Sequence, residues 1–87
     1  MTKHINYSEH ISINLSILGG KPVIKGTRIP VETILERLAH DLNTKTLFED
    51  YPRLTEDDIK ACLSYAQDVL GEIYPTPEAK NHPYANL

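Results

Sequence analysis

The sequence predicts a small α+β domain: an N-terminal β-hairpin, a three-helix core of helix-turn-helix type and an extended C-terminal tail. Three observations lead there. Apolar and polar residues alternate over residues 11–18, then apolar residues recur at helical spacing from Val31 and again from Ile59. Gly and Pro punctuate the boundaries between these stretches. The length, 87 residues, holds one domain and not two.

The hairpin is placed at residues 11–30. Ile11, Ile13, Leu15 and Ile17 alternate with Ser12, Asn14 and Ser16, which reads as a strand with one buried face. Gly19-Gly20 breaks it, and Val23-Ile24, bounded by Pro22 and Gly26, forms a short second arm. The proline assigns that arm to an edge. A first helix is predicted over about residues 31–42, with Val31, Ile34, Leu35, Leu38, Ala39 and Leu42 on one stripe. Asn43 caps a short second helix over 44–51, with Leu47, Phe48 and Tyr51 inward, and Pro52 ends it. Thr55 and Asp58 have capping-box spacing for a third helix over 55–70. Its apolar face is read as Ile59, Cys62, Leu63, Ala66, Val69, Leu70 and Ile73, with Gly71 as C-cap. Residues 1–73 form the domain, and 74–87 are a proline-spaced tail without periodicity.

Composition restricts the chemistry. A chain this small hides only about 60–65% of its unfolded surface, so its core is thin. One cysteine excludes an intrachain disulfide framework, and one Cys with four scattered His does not make the usual structural zinc site. A thin core without staples points to a partner, and a homodimer is expected from size. The net charge of −3 argues weakly against a dedicated nucleic-acid binder. Its distribution is uneven. Residues 1–30 carry Lys3, Lys21, Lys25 and Arg28 against Glu9, whereas residues 31–87 carry five bases and eleven acids. The start lacks the apolar stretch of a secretory signal, and no run approaches the roughly 18 apolar residues of a membrane span. The expected location is the cytoplasm, with no membrane association.

Two helices joined by a tight turn and packed on an earlier helix suit DNA binding, in which the second of the pair enters the major groove. Arg53 precedes that helix, and Lys60, Ser64 and Gln67 are read as exposed donors on it. Glu56, Asp57 and Asp58 at its start oppose phosphate contact, so a trihelical core with a solvated acidic face is the competing reading. The loop GGKPVIKGTRIP, residues 19–30, brings Lys21, Lys25 and Arg28 beside glycines. It either meets phosphate or a partner, or only shapes a turn into the first helix; its spacing is not that of a phosphate-binding Walker loop. His4, His10, His40 and His82 lack ligand spacing and read as surface histidines, and Cys62 reads as an inert core thiol. No catalytic set emerges, so no enzyme activity, cofactor or metal is expected. The tail offers Tyr74, Tyr84 and Leu87 as an extended ligand, with a disordered end as the alternative.

Two motifs carry a family resemblance. The first is Gly20-x-Pro22-x-Ile24-x-Gly26-Thr27-Arg28-Ile29-Pro30. The second is Glu49-Asp50-Tyr51-Pro52 followed by Leu54-Thr55-x-x-Asp58-Ile59. Over roughly residues 7–72 the chain resembles the prokaryotic domain-of-unknown-function family 433. Asp41 stands where Gly or Asn is common, and Lys45-Thr46 where acids are common. The resemblance implies a homeodomain-like or winged-helix-like three-helix core behind a β element. It also implies an antitoxin of the VapB kind, which silences a magnesium-dependent ribonuclease toxin of PIN-like fold and binds its own promoter DNA as a dimer. It implies no catalytic residue. In that setting Lys80 joins Tyr74, Tyr84 and Leu87 as the expected toxin contacts, since a cation can enter a carboxylate-lined metal cleft. A stand-alone transcriptional regulator without a toxin is the alternative.

Overall fold

The computed structural model describes residues 7–73. A two-stranded antiparallel sheet is followed by three helices. The strands are β1 (Ile11–Ser12) and β2 (Val23–Ile24), and the helices are α1 (Val31–His40), α2 (Lys45–Asp50) and α3 (Glu56–Ile73). Single 3-10 turns precede β1 at Tyr7–Glu9 and β2 at Leu18–Gly20.

Ile11 pairs with Ile24 and Ser12 with Val23. The first strand is therefore far shorter than the alternation over 11–18 predicts. Asn14 ends it. Its side-chain oxygen accepts the Ser16 amide (2.9 Å) and hydroxyl (2.7 Å), and its carbonyl accepts the Ile17 amide (2.8 Å). Asn and Ser side chains compete with the sheet for backbone partners in this way. Ile13 and Leu15 consequently face solvent, 61% and 84% exposed.

With two strands in the sheet the second is an edge strand, as its proline predicts, and an isolated bridge lies beside it. Beyond Ile24 the chain turns sharply, and Val23 bridges Pro30 on the side away from β1. Gly26 sits at φ 81°, a left-handed conformation that favours glycine. Thr27 closes the turn: its hydroxyl donates to the Ile24 carbonyl (2.8 Å) and accepts the Ile29 amide (3.0 Å). Pro22 opens the strand, where its missing N–H costs nothing, and its carbonyl accepts the Val31 amide (2.9 Å).

Val31, Ile34 and Leu38 bury the inner stripe of α1. The helix stops at His40, two residues short of the predicted end. Asp41 is extended (φ −158°, ψ 115°), and its carboxylate accepts the Asn43 amide (2.9 Å). Leu42, assigned to the stripe by spacing, is 81% exposed, and Ala39 is exposed as well. The N-cap of α2 is Thr44, one residue after the predicted Asn43, whose side chain still accepts the Lys45 amide (2.9 Å), and Leu47 carries that helix into the core.

The Thr55–Asp58 capping box of α3 is formed in both directions. The Thr55 amide donates to the Asp58 carboxylate (3.0 Å) and the Asp58 amide to the Thr55 hydroxyl (3.1 Å). The buried face is rotated from the predicted one. Asp58, Ile59, Ala61, Cys62 and Ser64 are buried, while Leu63, Leu70 and Ile73 are 50–58% exposed. The cause is that the first half of α3 is enclosed from several sides, by α1, β1 and the Tyr7–Glu9 turn. The helix also runs through Gly71 to Ile73, so Gly71 is no C-cap.

The core centres on Val23, Ile34 and Cys62, each fully buried, with Ile11, Ile24, Val31, Leu38, Leu47, Leu54 and Ile59 around them. Among the described residues no helix is long and apolar enough to cross a membrane.

Candidate functional site

The two sequence motifs meet in space. Thr27 and Ile29, on either side of Arg28 in the turn after β2, line a groove of about 220 Å³ together with Asp50, Tyr51, Pro52 and Arg53. The turn is fixed by the Thr27 hydrogen bonds and the opposite wall by the break between α2 and α3, where the Leu54 amide donates to the Tyr51 carbonyl (2.9 Å).

Charge in this groove is not balanced. Asp50 is taken up by Arg37 at 2.8 Å, and the Arg37 guanidinium also lies 5.8 Å from the centre of the Tyr51 ring. Arg28 and Arg53 are exposed, and neither has an ion partner among the described residues. Arg53 is therefore the cation this groove offers an anion, while the Thr27 hydroxyl, whose proton goes to the Ile24 carbonyl, has none left to donate.

The other basic candidates are dispersed. Lys25 is exposed beside the turn and donates to the Ser8 carbonyl (3.2 Å), tying the N-terminal turn to the hairpin. Lys21 pairs with Glu32 at 2.7 Å, on the rim of a different groove. Lys60 and Gln67 are exposed on α3 as predicted, but Ser64 is not. Ser64 is 8% exposed, because the side of α3 that carries it is covered along with Ala61. Its reading as an exposed donor is corrected. Tyr74, Lys80, Tyr84 and Leu87 lie outside the described residues, as do His4 and His82.

His10 is also corrected. It is half-buried, and its Nδ1 lies 2.9 Å from Asp58 Oδ1. One carboxylate thus caps α3 and anchors the residue just before β1. Nothing in the sequence links positions 48 apart, although the capping-box spacing does single out Asp58. His40 sits near the Glu36 carbonyl (3.1 Å), one turn back on α1. Among the described residues no cluster of three or more His, Cys, Asp or Glu could hold a metal ion.

Two groups have shifted acidity. Burial, with a smaller contribution from Asp58, pushes the Cys62 thiol up to about 12, so it stays protonated and unreactive at neutral pH. A hydrogen bond to Asp68 raises the Tyr7 phenol above its ordinary value. Tyr7 also meets the Tyr65 ring edge-on, with centroids 5.4 Å apart.

A second groove, of about 290 Å³, is apolar. Pro22, Val31, Leu35, Tyr65, Val69 and Leu70 are prominent in it, and the Lys21–Glu32 pair stands at its rim. Sequence periodicity assigned Val69 and Leu70 to the core and so hid this surface.

Comparison with known proteins agrees with the motifs. The uncharacterized protein y4eO of Sinorhizobium fredii (strain NBRC 101917 / NGR234) is 32% identical over 59 residues, 68% of this chain. The chain spans only 27% of the length of that relative. No solved structure matches. A family model described as "Protein of unknown function (DUF433)" matches residues 11–66, a stretch shorter at each end than the resemblance over 7–72 but containing both motifs. The chain belongs to this DUF433 family.

Proposed function

We propose that this protein is a non-catalytic binding protein of the cytoplasm, the antitoxin of a type II toxin–antitoxin pair. In this reading it neutralises a PIN-like ribonuclease toxin through residues 74–87 and binds its own promoter DNA as a homodimer. The observation that carries the DNA role is the groove between the Thr27–Ile29 turn and the Tyr51–Arg53 break, flanked by Arg28 and Arg53 with Lys25 nearby.

The helix pair α2–α3 supports a helix-turn-helix, homeodomain-like or winged-helix-like reading of the fold. It also changes the expected mode of contact. Glu56 and Asp57 are exposed at the start of α3, where a recognition helix meets bases, and Ser64 is withdrawn into the core. The basic turn is the better phosphate contact, with Lys60 and Gln67 as secondary ones. A regulator without a toxin is the alternative, favoured by the fact that Lys25, Arg28 and Arg53 all lie among the described residues.

A gel shift on DNA from upstream of the gene, measured across salt, tests the DNA role. Lys25→Glu with Arg28→Glu is expected to lower the slope of log affinity against log salt by about 2, at roughly 0.9 per lost phosphate contact. An unchanged slope removes the turn from the interface. Co-expression with the product of the adjacent gene tests the antitoxin role. The full chain is expected to restore growth and a chain ending at Ile73 to fail. Failure of the full chain sinks the antitoxin reading, and rescue by the shortened chain sinks the role of the tail.

A further inference from the structure

The groove between the Thr27–Ile29 turn and the Tyr51–Arg53 break holds one acid and one base, Asp50 and Arg53, and a residue outside it decides which of them an anion meets. We propose that Arg37 is a positioning residue for nucleic-acid binding: by holding Asp50 it leaves Arg53 free to meet a backbone phosphate. The inference deepens the DNA role proposed above and rests on it.

Asp50 and Arg53 line the same groove three positions apart. The chain between them turns back, since the Leu54 amide donates to the Tyr51 carbonyl (2.9 Å). A carboxylate and a guanidinium so placed are natural partners. They are not paired. Asp50 Oδ2 instead accepts from Arg37 at 2.8 Å, and Arg53 is exposed without an ion partner among the described residues.

The choice follows from how Arg37 is held. It stands in the last turn of α1 with its side chain only one-third exposed, and its guanidinium also lies 5.8 Å from the centre of the Tyr51 ring. A cation already restrained by a ring and by partial burial loses less freedom on pairing than the exposed Arg53 would. Arg37 thereby joins the end of α1 to the end of α2, on the wall of the groove that the second sequence motif supplies.

The consequence for an anion is electrostatic. An unpaired Asp50 would repel a phosphate arriving at Arg53 and would compete for the same guanidinium. Arg37 removes both effects although it does not line the groove. The Lys21–Glu32 pair, at 2.7 Å, is the contrast: there both members of the rim engage each other and no cation is left over. At the basic turn the pairing consumes the acid and leaves a base.

Binding of the full chain to a short DNA duplex of arbitrary sequence, measured across salt, tests this. Each phosphate contact adds about 0.9 to the slope of log affinity against log salt. Arg53→Gln is expected to lower the slope by about 0.9 through direct loss of a contact. Arg37→Gln is expected to lower it by a similar amount, because Asp50 then takes Arg53, whereas Arg37→Lys keeps the charge and is expected to hold the slope. Arg37→Gln with Asp50→Asn is expected to restore the wild-type slope. Arg37→Gln with Glu72→Gln, which returns the same charge at an exposed acid outside the groove, is expected not to. An unchanged slope in Arg37→Gln overturns the proposal and leaves the DNA role standing. Failure of Asp50→Asn to restore the slope also overturns it, since Arg37 then acts on structure alone, and so does restoration by Glu72→Gln, the mark of a net-charge effect. A wild type that binds no duplex overturns the inference together with the DNA role. Variants that behave as described, in a protein that binds upstream DNA no better than any other duplex, refute promoter recognition and leave the role of Arg37 intact.

Discussion

Ile34→Ala is expected to cost about 2–5 kcal/mol of stability, the loss typical for truncating a buried aliphatic side chain. Ile34 is completely buried on the inner face of α1, in the same core as Ile24, Cys62 and Leu47. Two physical terms add: the transfer energy of the removed carbons and the cavity left behind. The neighbours cannot collapse freely into that cavity. Ile24 and the adjoining Val23 are held by the strand pairing with Ile11 and Ser12, and Cys62 lies inside α3. A domain of this size has a total stability of roughly 4–13 kcal/mol, so the change removes a large part of it. With a urea slope near 1 kcal/mol/M, the unfolding midpoint is expected to fall by about 2–5 M. Leu42→Ala is the control. Spacing puts Leu42 on the same stripe, but it is 81% exposed, and its truncation is expected to change stability by less than about 0.5 kcal/mol. Equal losses at the two positions would refute the observed end of α1.

Asp58→Ala is expected to cost about 2–4 kcal/mol, more than an N-cap loss alone, which is near 1 kcal/mol. Asp58 is only 9% exposed and serves two partners. One carboxylate oxygen accepts the Thr55 amide and the other meets His10. Truncation leaves the half-buried His10 nitrogen without its carboxylate and the Thr55 amide without its acceptor; hydrogen bonds to a charged group contribute about 1.5–3 kcal/mol. Thr55→Ala removes only the hydroxyl side of the box and is expected to cost about 1 kcal/mol. Urea unfolding of the two variants checks the ordering. If Asp58→Ala is no worse than Thr55→Ala, the contact with His10 contributes nothing.

What could be read from the sequence was local. The Thr55–Asp58 box, the Asn43 bond to the Lys45 amide, the inner stripe of α1 through Leu38 and the placement of β2 all follow from interactions within a few residues. The misreadings share a different origin. Alternation over 11–18 looked like a strand because hydrophobic period cannot register that Asn14 and Ser16 offer the backbone a competing partner. Leu63, Leu70 and Ile73 looked like core because helical spacing gives a stripe but not which neighbours cover it. The groove at Thr27 and Arg53 depends on two segments 26 positions apart, and the His10–Asp58 contact on two segments 48 apart. The residues of both motifs were visible, whereas their convergence belongs to tertiary packing alone.

The edge-on contact of Tyr7 with Tyr65 bears on how this fold is carried within longer chains. It closes the described body on itself: the first described residue lies against α3, and that helix ends two turns later, about 12 Å along its axis at 1.5 Å per residue. The N-terminal turn and the second half of α3 thereby hold each other, so a longer chain that carries this stretch keeps the contact only if it carries both. The match covers 27% of the Sinorhizobium relative, so there a similar segment is part of a longer protein.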